Sequence, residues 1–158
     1  MVYLLLLLLP AALVLPFALA GYGLGNLGRT GVRRAGRQVW LRSGAALLGA
    51  VAAALYASGL LCVAAAVLDA EDGGTGSAPL RPCRTTDRPE RSLTVVDYSV
   101  RYAPLRFVCE QKDGGAYAAD SVPGFVNPAV VAFALAAVTC AAGAGFDTRR
   151  TARPSPVT

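Results

Sequence analysis

Residues 21–42, GYGLGNLGRTGVRRAGRQVWLR, determine how this chain is threaded. The stretch carries five arginines and no acidic residue, and it lies between two long runs without a charged side chain. Short loops rich in arginine and lysine stay on the cytoplasmic side of a membrane. The sequence therefore predicts an integral membrane protein and fixes the direction in which it crosses the bilayer.

Three runs lack Asp, Glu, Lys and Arg, namely residues 1–28, 43–68 and 121–146. Each exceeds the roughly 20 residues that a helix needs to cross a hydrocarbon core of about 30 Å. With 54% hydrophobic residues and a mean hydropathy of +0.48, the chain is also more apolar than ordinary soluble domains. We predict an α-helical membrane protein with three transmembrane helices, the third capped by Asn127 with Pro128 in its first turn.

The threading follows from the side on which the arginine loop lies. With that loop in the cytoplasm, the N-terminus lies outside, the region between the second and third helices is exported, and the C-terminal tail is cytoplasmic. The alanine-, glycine- and arginine-rich composition indicates a bacterial plasma membrane. The predicted organisation is helix 1 at 2–22, a cytoplasmic loop at 23–42, helix 2 at 43–68, an exported flexible linker at 69–91, an exported antiparallel β module at 92–123, helix 3 at 128–145 and a disordered cytoplasmic tail at 147–158.

A cleaved signal peptide is the alternative for residues 1–20. Residues 4–9 form a short apolar core, and Ala18-Leu19-Ala20 matches the small-residue pattern of a cleavage site. However, residues 1–3 carry no basic side chain, and cleavage would leave the arginine loop outside. An uncleaved first helix is therefore the preferred interpretation.

The exported region changes character at Ser92. Before it, Asp, Gly, Pro, Thr and Arg predominate, as is typical of a linker. After it, apolar residues recur two apart over 93–102 and again over 105–109, and residues 112–115 (Lys-Asp-Gly-Gly) indicate a turn into a third strand near Tyr117. The sequence predicts a small β-rich extracytoplasmic domain, a three-stranded antiparallel sheet between helices 2 and 3.

Cys83 and Cys109 are the only cysteines in the exported region. A sheet this small usually needs a covalent or metal support, and an exported compartment permits oxidation. We predict a structural Cys83–Cys109 disulfide; a redox-active pair is the alternative, although no Cys-x-x-Cys motif is present. Cys62 and Cys140 fall at different depths of their predicted helices, so we predict unbridged apolar side chains there.

Several kinds of chemistry are missing from the sequence. The chain has no histidine and its four cysteines lack zinc-site spacing, so we predict no catalytic residue, metal or cofactor. Residues 23–28 match G-x-G-x-x-G but lack the strand–turn–helix context of a dinucleotide site. On the predicted sheet, Asp97 and Glu110 are expected to be solvated or paired with Arg101 and Arg106 across the first hairpin.

The net charge of +5 comes from arginines that flank the apolar spans. Residues 69–123 do not contribute to it, because they hold nine acidic and seven basic side chains. Near a membrane surface each arginine favours anionic lipid by about 1 kcal/mol. We therefore predict topology and anionic-lipid contact, and no nucleic-acid binding, for the flanking arginines. They are Arg29, Arg33, Arg34, Arg37, Arg42, Arg149 and Arg150.

The leading functional hypothesis is a non-enzymatic membrane protein of the bacterial envelope. It would act through its exported module as an accessory, assembly or protective, immunity-type component. The predicted partners are membrane lipids and either another envelope protein or a second copy of the chain. The two alternatives are a membrane thiol–disulfide oxidoreductase and a subunit of an oligomeric pore or transporter.

Overall fold

The computed structural model describes residues 2–72, 80–84 and 89–151, so parts of the predicted linker (73–79 and 85–88) and of the predicted tail (152–158) lie outside the described residues. The elements are α1 (Val2–Thr30), α2 (Arg37–Glu71), a 3-10 turn (Arg81–Cys83), α3 (Pro89–Ser92), β1 (Val95–Tyr102), β2 (Leu105–Gln111), β3 (Ala116–Ala119) and α4 (Val126–Thr151). The chain forms two compact units. The first comprises residues 1–10 and 56–128, and the second comprises residues 11–55 and 129–158.

Three helices of the described residues, α1, α2 and α4, are long and apolar enough to cross a membrane. Leucine is the most frequent residue of α1 and alanine of α2 and α4, and both residues favour helices. The predicted number and order of apolar helices are therefore confirmed. Gly23, Gly25 and Gly28 lie within α1, so the G-x-G-x-x-G match is part of a helix and not of a strand–turn–helix unit.

The helices extend beyond the predicted spans. Residues 31–36 alone separate α1 from α2, so much of the predicted loop 23–42 is helical. The described beginning of the predicted tail is helical as well, because α4 continues to Thr151. A helix satisfies its own backbone hydrogen bonds on either side of a membrane boundary. Charged residues therefore mark where an apolar span ends, and not where the helix ends.

Close packing in the second unit depends on small residues. A β-carbon added at Gly23 would lie 3.0 Å from Cγ of Leu47 and 3.2 Å from the carbonyl oxygen of Ser43. The glycine thus lets α1 approach the backbone of α2, as small residues do between membrane helices. Ala46 and Ala50 of α2 are buried as well.

Many large apolar side chains of the same unit are exposed. On α1 they include Val14, Phe17 and Leu24, and on α4 they include Val131, Leu135 and Val138, each of them more than half exposed. Monomeric soluble proteins rarely expose so much contiguous apolar surface, which normally marks a membrane or protein contact.

The sheet of the first unit is an antiparallel meander in the order β1-β2-β3, as the sequence predicts. A two-residue turn at Ala103 and Pro104, joined by a cis peptide bond, aligns Tyr102 with Leu105. The predicted turn after β2 is present, with Gly114 at a φ of +82°, a conformation that glycine adopts without strain.

The inner face of the sheet supplies much of the core of the first unit. Phe107 and Cys109 are fully buried, and Leu105 is nearly so. On α2, Leu60 and Val63 are fully buried, and a β-carbon added at Gly59 would lie only 2.7 Å from Cδ2 of Leu105. The end of α2, which the sequence assigned to a membrane span, therefore packs against β2.

Asn127 does not cap the third long helix as predicted, because α4 begins at Val126. Its side-chain oxygen accepts a hydrogen bond from the Leu105 N–H at 3.0 Å, and its nitrogen donates to the Leu105 carbonyl at 3.1 Å. The register of β3 with β2 starts only at Phe107. The Asn127 carboxamide therefore satisfies backbone groups of Leu105 at a position that β3 does not reach.

Candidate functional site

A disulfide joins Cys83 of the 3-10 turn to Cys109 of β2, and both residues are fully buried. The predicted disulfide is thus confirmed. The hydroxyl of Tyr117 on β3 donates a hydrogen bond to the Cys83 carbonyl at 2.6 Å. The disulfide thus links the 3-10 turn to β2, and the hydrogen bond from Tyr117 links it to β3. Cys62 and Cys140 are free thiols, as predicted.

The outer face of the sheet carries two pairs of like charges. The register places Asp97 opposite Glu110 and Arg101 opposite Arg106, and all four side chains are exposed. The exposure fits the expectation that Asp97 and Glu110 are solvated, whereas the alternative expectation, pairing with Arg101 and Arg106 across this hairpin, is wrong. The two-residue turn explains the difference, since it fixes the pairs from Tyr102–Leu105 as far as Asp97–Glu110; the register shifts only beyond them, between Asp97 and Val95.

No residue that the structure describes neutralises the two arginines of this face. Neither Arg101 nor Arg106 forms an ion pair with a residue that the structure describes. Like charges directly opposite each other on a sheet destabilise it, by up to about 1 kcal/mol per pair. The outer face therefore has a positive end beside the β1–β2 turn and a negative end toward the start of β1.

A cavity of about 240 Å³ lies in the first unit beside β1. Leu5, Val67 and Val100 contribute apolar walls, while Glu71 and Asp97 contribute carboxylates. The Tyr98 hydroxyl donates a hydrogen bond to the Glu71 carboxylate, and the Tyr98 ring stacks on Phe107 with centroids 5.0 Å apart. This contact connects the end of α2 to β1, and no local sequence pattern predicts it, because the two residues are far apart along the chain.

The hydrogen bond to Glu71, then burial, then the charges of Glu71 and Asp97 raise the pKa of Tyr98 from 10.0 to about 12. The neutral phenol is thus favoured in the folded state. Its contribution to stability is fully present below pH 10 and is lost as the pH rises through about 12.

The absorbance of phenolate is measured against pH for the wild-type protein and for Tyr98→Phe. We expect the difference between the two titration curves, which reports Tyr98 alone, to have a midpoint near pH 12. In a matched pair, Glu71→Gln against Glu71→Gln/Tyr98→Phe, the midpoint should move down, because the carboxylate that holds the phenol proton is gone. A wild-type midpoint near pH 10 would show that the hydrogen bond does not form.

Comparisons with known proteins give no assignment. The chain matches no protein-family model, no curated protein and no solved structure. Among the described residues, no three His, Cys, Asp or Glu side chains are grouped so that they would hold a metal ion. The geometry of the module and of the helices is therefore the basis for any functional proposal.

The flanking arginines occupy different positions. Arg29 is in the last turn of α1, Arg33 and Arg34 are in the connection, Arg37 and Arg42 are in α2, and Arg149 and Arg150 are in α4. Nε of Arg37 lies 3.7 Å from a carboxylate oxygen of Asp147. The structure brings Arg29 and Arg42 together around one pocket of about 200 Å³, which Arg33 and Arg34 do not line. Lipid contact by these arginines stays a prediction.

Proposed function

We propose that this chain is a non-enzymatic membrane protein of the bacterial envelope whose exported, disulfide-bonded module binds a protein partner. The observation that carries the proposal is the outer face of the sheet, with Arg101 opposite Arg106 and Asp97 opposite Glu110. Such pairs weaken the isolated sheet and become favourable when a partner supplies the opposite charges.

Membrane insertion is supported by the three apolar helices and by their exposed apolar side chains. The arginines between α1 and α2 favour a cytoplasmic connection, with the N-terminus and the module outside. The Cys83–Cys109 disulfide fits that orientation, because disulfides persist in oxidising compartments. The complete burial of both cysteines favours a structural role, since thiol exchange needs access to a sulfur.

The charge pattern also indicates what the partner must present. Asp97 and Arg101 are four residues apart on one strand, which corresponds to roughly 13 Å at 3.3 Å per residue. A complementary face needs a basic and an acidic group at about that separation. A second copy of the chain presents this pattern itself when the two sheets face each other across a two-fold axis that is perpendicular to the strands and parallel to the sheets. The arginine pair of each copy then lies over the carboxylate pair of the other. Self-association is therefore the simplest form of the proposal, and another envelope protein with that pattern is the other.

The direct test is site-specific crosslinking in native membranes. A photo-crosslinking residue is placed at Ser99, which lies on the outer face between the charge pairs and opposite Val108. The crosslinked species is identified by mass spectrometry, which separates a second copy from another protein. A matched probe at Leu93, exposed but ahead of β1, measures background capture. Equal yields at the two positions would contradict a binding role for this face.

The substitution Arg106→Glu separates binding from folding. It places a carboxylate opposite Arg101, so we expect it to stabilise the module by about 0.2–1 kcal/mol in denaturant unfolding. The same change removes the positive end of the face and should abolish the Ser99 crosslink. Lys112→Glu, in the turn after β2, is the control with the same change in charge and should leave the crosslink intact. A crosslink that survives Arg106→Glu would refute the proposed surface.

A further inference from the structure

A cleft of about 520 Å³ opens between α1, α2 and α4 within the second unit. Its walls are apolar, formed by alanines of α2 and α4 together with Leu19 and Val138. Tyr22 and Arg42 are the polar side chains at its border. The small residues leave room that a larger side chain would fill, so the cleft suits a narrow apolar group.

A second, polar pocket adjoins this cleft. It is the pocket of about 200 Å³ between α1 and α2, and it shares Tyr22 and Arg42 with the cleft. Arg29 and Asn26 add donors to the shared pair. The two cavities thus place an apolar slot and a set of hydrogen-bond donors side by side.

The electrostatics of the polar pocket favour an anion. No carboxylate lines either cavity. Asp147 is the only acidic residue in 11–55 and 129–158, and its Oδ2 lies 3.7 Å from Nε of Arg37. Neither Arg29 nor Arg42 forms an ion pair with a residue in the described part of the chain. Two arginines therefore line the pocket without a counter-charge from any described residue, and guanidinium binds phosphate in a bidentate manner.

We propose that these joined cavities form a binding site for one anionic phospholipid. An acyl chain occupies the alanine-lined cleft, and Arg29 and Arg42 bind the phosphate, with Tyr22 at the junction. The site lies where the uncharged spans meet the arginine loop, the depth at which head groups are found. It rests on the membrane insertion proposed above, and it assigns a specific role to Arg29 and Arg42 that Arg33 and Arg34 do not share.

The ligand chemistry distinguishes this lipid from its competitors. A zwitterionic lipid brings an ammonium group that the two arginines repel, and inorganic phosphate has nothing to place in the apolar cleft. The cytoplasmic leaflet, where the proposed topology puts the site, carries the anionic lipids. A phospholipid with a net negative head group satisfies both halves of the site at once.

Native mass spectrometry of the full chain in detergent tests the proposal. The probes are phosphatidylglycerol, phosphatidylcholine with the same acyl chains, and inorganic phosphate. We expect one phosphatidylglycerol per chain, bound at least about tenfold more tightly than phosphatidylcholine, and no retention of inorganic phosphate. Arg42→Gln should weaken phosphatidylglycerol binding by about tenfold, while the matched variant Arg33→Gln should bind like wild type. Equal losses in both variants, or equal binding of both lipids, would overturn the site.

A second pair of variants tests the apolar half. Ala141 lines the cleft and is exposed, so Ala141→Phe should fill the cleft and lower phosphatidylglycerol binding without unfolding the helices. Ala142→Phe is the control, because Ala142 is exposed and does not line the cleft. Unchanged binding in Ala141→Phe, or retention of inorganic phosphate equal to that of the lipid, would show that the arginines bind an anion without the lipid chain.

Resistance to carbonate extraction from membranes is measured on the same variants. Extraction of the wild-type chain by carbonate would contradict the proposed membrane insertion and with it the proposed function. A chain that stays in the membrane but shows no lipid selectivity contradicts the lipid site alone.

Discussion

Replacing Cys83 and Cys109 together with serine is expected to lower the free energy of unfolding of the first unit by about 3–4 kcal/mol. The bond closes a chain segment with a sequence separation of 26 residues, so its loss returns a large conformational entropy to the unfolded state. The two serine hydroxyls would also be left in a fully buried site. Since small domains are stable by only about 5–15 kcal/mol in total, the loss is large.

Denaturant unfolding of the full chain in detergent measures this effect, followed by the near-ultraviolet signal of the stacked Tyr98 and Phe107 pair. The matched control is Cys62→Ser with Cys140→Ser, which removes the free thiols and leaves the disulfide intact. We expect the control to retain the wild-type module signal up to a higher denaturant concentration than the Cys83/Cys109 variant. If the Cys83/Cys109 variant unfolded at the same denaturant concentration as wild type, the disulfide would not stabilise the module.

Phe107→Ala is expected to have an effect of similar size, a loss of about 3–5 kcal/mol. Phe107 is fully buried on the central strand and stacks on Tyr98. Truncation leaves a cavity on the side of the sheet where Leu60 and Val63 of α2 are buried as well, and a three-stranded sheet has little other apolar surface to compensate.

Val96→Ala is the control for this substitution. Val96 is 63% exposed, so the same loss of apolar volume should change stability by no more than about 0.5 kcal/mol. Limited proteolysis at increasing denaturant concentration compares the two variants with wild type. If Phe107→Ala and Val96→Ala were equally mild, the assignment of inner and outer faces to the sheet would be incorrect.

The parts of the fold that could be predicted from sequence rest on local composition. Uncharged runs long enough for a bilayer gave the three apolar helices, and alternation after Ser92 gave the strands. The Cys83–Cys109 disulfide could be predicted from the number of cysteines, since no other cysteine lies between the second and third apolar runs. Each of these inferences needs only residues that are close in sequence or a choice among very few partners.

The end of α2 shows why composition has a limit. α2 has 35 residues, about 52 Å at 1.5 Å per residue, which exceeds a hydrocarbon core of about 30 Å. Its apolar end packs against β2, with Gly59 beside Leu105. An apolar helix face has the same composition whether lipid or a sheet covers it. The contact of α2 with β2 could therefore not be predicted from composition, although the helix is apolar enough to cross a membrane.

Contacts of the candidate sites were missed for a different reason. Asn127 binds the Leu105 backbone and Tyr98 binds Glu71, and both pairs join elements that are distant in sequence. Nothing local to either residue signals its partner. The like-charge pairs of the outer face, in contrast, follow from a two-residue turn and could have been derived from it.

Cysteine accessibility in intact cells tests the proposed threading most directly. In a chain with Cys62→Ala and Cys140→Ala, a single new cysteine is placed at Lys112, in the exposed turn after β2, or at Arg34, in the exposed connection between α1 and α2. The reagent is a maleimide that does not cross membranes. We expect labelling of the Lys112→Cys chain in intact cells, and labelling of the Arg34→Cys chain only after the cells are permeabilised. Labelling of Arg34→Cys in intact cells, with Lys112→Cys protected, would contradict the threading and the exported position of the module.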